Sequence, residues 1–418
     1  MLREIANKYW FKWLIIGVIL RLVLMPITLH PDLWGHSFVA YFFAYRGIFN
    51  PYEYLVNLGQ DHPLVTNFGV ADIFIYPPLT YFTLGIFRVL VMPFTDPNFI
   101  PTLWNGLGSA YSNNNLFSHL LFFKLPYLFV DVATGFLLAS LFDKQNSKTK
   151  IFTLWMINPV TLYATFMMGQ LDILPVFFVI LSLCFVKQKK PYASLISLGV
   201  GGAYKMFPLL LIIPAALILK RELRQRIKLI LAGIAPFVLL SLPYLGSSAF
   251  RTMVLFTPKS QKMLFMQFPV TAAEGIYPFV FILFLIYFWI YYRKISRDNL
   301  PFVYLSILLL LFSVTHYHPQ WFLWVTPLLI WQNVKTNHKY WLLTTTLFAI
   351  WLLITLMFEP SLSVGLFGPV CESCRTAIGL SDILANFQDI NMFKSLLRSI
   401  FAAASFMLIY LSVINEKS

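Results

Sequence analysis

The chain has 418 residues, of which 59% are apolar, 18% aromatic and only 11% charged. A soluble domain carries about 25% charged residues, so the mean hydropathy of +0.73 and the repeated apolar runs of about 20 residues exclude a soluble protein and describe a polytopic membrane protein. The formal net charge of +14 does not indicate nucleic acid, because the basic residues cluster in short segments between apolar runs, the pattern that sorts loops to the cytoplasmic side.

The first apolar run, 11–29, holds Arg21 near its middle and is followed by no small-residue cleavage site, so it reads as a retained helix. A polar segment at 30–75 begins with LHPDLWGHSF, which sets Asp32 just beyond the hydrocarbon with Trp34 and His36 beside it. The run 76–92 opens with Tyr76 in YPPL and stops before Pro93. Counting it as a full span would place DKQNSKTK outside and invert every later loop. A short helix that dips in and stays on the outer side keeps Lys144/Lys148/Lys150, Lys187/Lys189/Lys190 and Lys220 to Lys228 cytoplasmic. Both termini, with Arg3, Lys8 and Lys417, then fall on the cytoplasmic side as well.

Further spans are expected at 116–142, 151–168, 171–186, 227–245, 274–292, 300–316, 320–332, 340–358 and 393–413. Within 116–142, Lys124 and Asp131 share one helix face about 10 Å apart along the axis. Such intramembrane charges read either as internal pairs that hold helices together or as functional groups; Arg21 reads as a packing or snorkelling partner. The MMGQLD turn carries Gln170 and Asp172. The run 192–219 has basic clusters at both ends and is interrupted by Lys205 and Pro208. Two half-helices meeting at a polar tip satisfy that pattern, since broken helices are tolerated where they line a cavity. A lysine at such a tip calls for a phosphate or a carboxylate. THYHPQWFLW places His316 and His318 between two spans, as phosphate donors, as a general acid, or as an interfacial polar cluster beside an aromatic belt. The pair CESC, Cys371 and Cys374, lies in an outer segment at 359–392 and reads as a local disulfide, while Cys184 reads as a buried apolar residue.

The expected architecture is therefore all-α: one integral-membrane helical bundle over 1–418 with about ten full spans plus short broken or re-entrant helices. No nucleotide-binding fingerprint or nucleophile elbow occurs, and no local ligand set specifies a metal site.

Six blocks in order, HPDLWGHSFVAYFFAYRGIFNPY, YPPLTYF, KLPYLFVDVATGFLLASLF, INPVTLYATFMMGQLD, AYKMFPLLLIIP and VTHYHPQWFLWVTPLL, cover about 30 to 335. In these the chain resembles a polytopic glycosyltransferase of the C superfamily (GT-C), the group that includes the catalytic subunit of glycosylphosphatidylinositol mannosyltransferase I and its prokaryotic relatives. The resemblance implies a polyprenyl-phosphate sugar donor, often of mannose, and transfer with inversion at the extracytoplasmic face of a membrane. It also implies an Asp-x-Asp pair in the first loop, where this chain has Asp32 but Trp34 at the second position.

Asp32 is thus left as a single general base or an acceptor-positioning residue. The substrate-binding set is Lys205, His318, His316, Gln170, Asp172, Trp34, His36 and Tyr76, with Lys205 and His318 as cations for the departing phosphate, and Trp34 and Tyr76 either as sugar platforms or as part of an interface belt. A divalent cation, Mg or Mn, stays open as a cofactor. Asp172 and Asp72 are the next candidates for the base. The expected partners are the lipid-linked donor, membrane lipid, and a glycan, lipid or protein acceptor, with no nucleic acid. The compact chain points to a cell (plasma) membrane. Two rival readings stay open: a lipid or glycan flippase or transporter, and a non-catalytic membrane subunit.

Overall fold

The computed structural model describes residues 9–69, 73–259, 261–386 and 389–414. Asp72 and the terminal residues Arg3, Lys8 and Lys417 lie outside these. Among the described residues, five helices are long and apolar enough to cross a membrane: Trp10–Ile27, Leu116–Ser140, Leu223–Tyr244, Arg297–Val314 and Ile390–Ser412. Four shorter apolar helices, Ile173–Lys187, Phe207–Leu219, Pro278–Arg293 and Trp341–Leu356, accompany them. The chain is an all-α integral membrane protein, and only one short strand pair, Phe268–Pro269 with Gly275–Ile276, occurs among the described residues.

Helix α1 (Tyr9–Ile27) is followed by α2 (Asp32–Arg46), so 30–75 is not an irregular loop. Leu33, Trp34 and every residue from His36 to Phe42 are buried, and the helix lies against α3 (Pro78–Val91). The chain then turns by 105° into a second short helix, Phe99–Asn105, a bend that suits either a re-entrant piece or a broken span. Next come α4 (Leu116–Ser140) and α5 (Gln145–Met156).

The expected span 151–168 is interrupted. Asn158 is extended, and its side-chain carbonyl accepts the N–H groups of Val160 at 2.9 Å and Thr161 at 3.2 Å. A residue before proline avoids the helical region, asparagine caps well, and proline suits the first helical position. The Asn158-Pro159 pair therefore starts a new turn, which continues as a π-helical turn, Leu162–Met167. The expected span 320–332 is likewise split into a 3-10 turn, Pro319–Trp324, and a helix, Thr326–Lys335, with prolines at both starts.

Helix α6 (Ile173–Lys187) leads to α7 (Pro191–Tyr204), then to extended Lys205, a 3-10 turn Phe207–Leu211 and α8 (Ile212–Leu219). This is the expected pair of half-helices. Helix α9 (Leu223–Ser241) packs against α7, where the Gly233 carbonyl lies so near Gly199 that a Cβ there would come within 1.9 Å of it. Close approach through small residues replaces the hydrophobic effect as a way to join helices in lipid. The bundle closes with α10 (Pro278–Arg293), α11 (Leu300–Val314), α12 (Thr326–Lys335), α13 (Trp341–Leu356) and α14 (Ile390–Ile414).

Arg21 and Asp131 form a fully buried pair at 2.6 Å, and Arg21 also donates to the carbonyls of Gly17 at 2.9 Å and Met156 at 2.6 Å. Arg21 neither snorkels nor merely packs: it joins α1, α4 and the end of α5. Lys124 and Asp131 do not meet each other. The Lys124 ammonium instead donates to the carbonyls of Met25 at 3.0 Å, Thr28 at 2.6 Å and Met167 at 3.1 Å.

Candidate active site

Asp32 opens α2, where the unpaired N–H groups of a helix start favour an anion. The Gln170 amide donates to its Oδ2 at 2.9 Å. His30 Nδ1 accepts the Asp32 backbone N–H at 3.2 Å, so its 3.6 Å approach to Oδ2 is that of a neutral ring. Burial pushes the His30 pKa down, which fits this tautomer. The Asp32 side chain remains 51% exposed and is open to an incoming hydroxyl.

One turn further, His36 is buried, and its ring meets Tyr76 at 5.4 Å. The Tyr76 ring in turn faces the Lys205 ammonium at 5.4 Å. Trp321 at 5.4 Å and Trp324 at 5.1 Å complete an aromatic box around that ammonium. Its carboxylate partner is Asp172, with Oδ1 at 2.7 Å. The Trp324 indole N–H donates to the same oxygen, and Asp172 Oδ2 is buried without a hydrogen-bond partner among the described residues. Of the two partners expected for Lys205 from sequence, a carboxylate is thus present.

A cavity of about 440 Å³ opens beside Lys205. Its lining includes Leu210, Val254 and Leu311 together with Lys205, Lys259 and Lys262. The Lys262 ammonium is 3.1 Å from His318 Nε2 and 5.2 Å from the Trp321 ring. Burial and the Lys262 charge lower the His318 pKa to about 4, and burial with Arg398 lowers His316 to about 4. His316 Nδ1 sits 3.2 Å from an Arg398 N–H. Both rings are neutral near pH 7 and accept from cations. His318 is therefore a neutral acceptor here, with the Lys262 amine as its donor.

These two histidines also set a pH dependence. The unfolded chain binds their protons below the ordinary value of 6.5, the folded one only below about 4. Between those values the unfolded state holds more protons, so stability falls as pH falls through the window. The melting temperature in detergent is expected to drop from about pH 7.5 to about pH 5, and His318→Gln to flatten that slope. An unchanged slope in the variant would remove His318 from the account.

Trp34 is corrected as a sugar platform. It is 2% exposed and packed against Phe99 at 6.1 Å and His119 at 6.0 Å, which leaves no free ring face. Gln170 and Asp172 are brought in by the π-helical turn, whose wide coil ends at Gly169 with φ of +76°, a conformation that suits glycine. Cys371 and Cys374 are bridged. Their segment rests on the site's supports: Leu366 accepts the Leu29 N–H at 2.8 Å and Leu362 the Tyr163 hydroxyl at 2.8 Å. Among the described residues, no three His, Cys, Asp or Glu side chains gather to hold a metal ion.

Residues 74–316 match the model of Glycosyltransferase family 87. That stretch takes in Tyr76, Asp172, Lys205 and Lys262 and begins after Asp32. No curated protein matches the sequence. Among solved structures, ArnT from Cupriavidus metallidurans bound to undecaprenyl phosphate is similar at a TM-score of 0.47 and 11% identity, over 98% of this chain and 78% of that one.

Proposed function

Because the chain belongs to glycosyltransferase family 87, we propose that it moves a hexose, mannose by the resemblance of its sequence blocks, from a polyprenyl-phosphate donor to an acceptor on the extracytoplasmic side. The observation that carries this reading is the cavity, apolar along Leu210, Val254 and Leu311 and cationic at Lys205, Lys259 and Lys262. An isoprenoid chain with a phosphate at one end combines the same two chemistries. Family membership leaves the transporter and non-catalytic readings without support.

The chemistry is that of the chain's own residues. The acceptor hydroxyl oxygen attacks the anomeric carbon while Asp32 takes its proton. The bond from that carbon to the phosphate oxygen breaks, and its electron pair stays on the phosphate. Lys205 and Lys262 neutralise the charge that develops there, the kind of preorganised electrostatics that lowers such barriers most. A single displacement on the face opposite the phosphate inverts the anomeric centre. Asp172 keeps Lys205 aimed at the cavity mouth until a phosphate arrives.

The test uses purified protein in detergent with polyprenyl-phosphate mannose, glucose and arabinose. Acceptor-dependent transfer from mannose, with inverted configuration, is expected. Use of a sugar nucleotide in place of all three lipids would overturn the reading. Sidedness is read separately. Gln60→Cys puts an exposed thiol in the 30–75 segment, where the only other unbridged cysteine, Cys184, is buried. A membrane-impermeant maleimide is expected to label it from outside. Labelling only after the cytoplasmic side is opened would invert the topology.

A further inference from the structure

We infer that Lys124, buried in α4, is a positioning residue for the proposed base: it ties together the two backbone segments that bring Asp32 and Gln170 into contact. This inference rests on the reading of Asp32 as the base.

The Lys124 side chain is fully buried. Its three ammonium N–H groups have three carbonyl partners, on Met25, Thr28 and Met167. Met25 lies in the last turn of α1, Thr28 just past its end, and Met167 closes the π-helical turn. These carbonyls are the ones that a helix end leaves without intrahelical donors. Two such ends converge on one cation, and each carries partial negative charge. The Lys124 donors are thus matched by carbonyls and not by an acid.

Each of the two ends leads directly into the site. Four residues beyond Thr28 is Asp32, and three beyond Met167 is Gln170. The two meet at 2.9 Å. Thr28 strengthens the junction, with its hydroxyl donating to Leu24 at 2.6 Å and lying 3.4 Å from the Phe166 carbonyl. Gly169 leaves no slack, since a Cβ there would lie 2.5 Å from Leu33 and 3.2 Å from the Lys124 side chain. Without the ammonium, three buried carbonyls lose their donors and the two segments lose their common anchor. The Asp32 carboxylate then shifts relative to the acceptor, while Lys205, Lys262 and the cavity, held by other contacts, keep the donor.

The experiment is a double-mutant cycle on the full-length protein with Lys124→Met and Asp32→Asn, read as kcat, donor KM, direct donor binding and melting temperature. Lys124→Met alone is expected to lower kcat by about 10²-fold, the cost of misplacing a reacting group by about 1 Å, with donor binding unchanged. In the Asp32→Asn background the same substitution should cost no more than about twofold, because a residue that acts through Asp32 has nothing left to position. Equal losses in both backgrounds, or a fall in donor binding that matches the fall in kcat, would overturn the inference. Should Lys124→Met fail to accumulate, the cycle is run with Lys124→Gln, which keeps a shorter donor. If neither variant accumulates, Lys124 is a folding residue and the inference is lost. An Asp32→Asn enzyme of full activity would instead sink the base itself, and the Lys124 arm would show that separately.

Discussion

Asp32→Asn is expected to lower sugar transfer by about 10²-fold or more, the usual weight of a general base, with donor binding and folded yield near wild type. The physical ground is that the amide keeps an oxygen for the Gln170 N–H, at 2.9 Å in the native protein, but has no basicity. The side chain is half exposed, so the exchange leaves no buried charge unpaired. Chelator is expected to leave the wild type active, since one carboxylate without a second acid at Trp34 makes a poor metal site. Activity lost to chelator and regained with Mg or Mn would make Asp32 a ligand. Retention of more than about a tenth of wild-type turnover would remove the base. Asp172 would be a poor replacement, for it is fully buried and already engaged by Lys205 and Trp324.

Lys205→Met is expected to lower kcat/KM for the donor by about 10²-fold or more, the loss typical of a removed electrostatic stabiliser, with the acceptor KM little changed. The variant also strands Asp172, and breaking a buried pair from one side costs about 3–5 kcal/mol. Poor yield would then mask the kinetic effect. The control is Lys205→Met with Asp172→Asn, which removes the stranded charge. Restored folded yield with donor use still low would assign Lys205 to the phosphate. Restored donor use in the double variant would mean that Lys205 serves only to neutralise Asp172.

Much of this site is legible in the amino-acid sequence because membrane proteins place polar groups sparingly. Asp32, Gln170, Asp172, Lys205, Tyr76 and His318 stand out against apolar runs, and the fold brings them to one end of the bundle. The break at Lys205 and the bend after the helix that opens at Pro78 are also legible, since lysine and proline interrupt the apolar runs there. Other features depend on contacts between residues far apart in the chain. Arg21 and Asp131 pair across α1 and α4, and nothing local to either names the other. Lys262 lies in a loop whose only outward signal is two lysines in an acid-free stretch, and its pairing with His318 reverses the charge that a histidine alone suggests. Trp34 fails as a sugar platform because its orientation on α2 is set by Phe99 and His119. The interruption at Asn158-Pro159 is readable residue by residue, but a hydropathy window averages over it.

On the proposed reading, the cavity holds the half of the donor that the reaction leaves untouched. Isoprenoid and phosphate enter together and remain together once the sugar has gone, so Lys205, Lys262 and the apolar lining meet the spent carrier with the same groups that met the loaded one. The two differ only in the sugar. Turnover then depends on the surrounding bilayer. A membrane rich in unloaded carrier keeps the enzyme occupied, and glycosylation slows until the carrier is recharged elsewhere. The traffic of one lipid between its loaded and empty forms thereby becomes a throttle on the enzyme that consumes it.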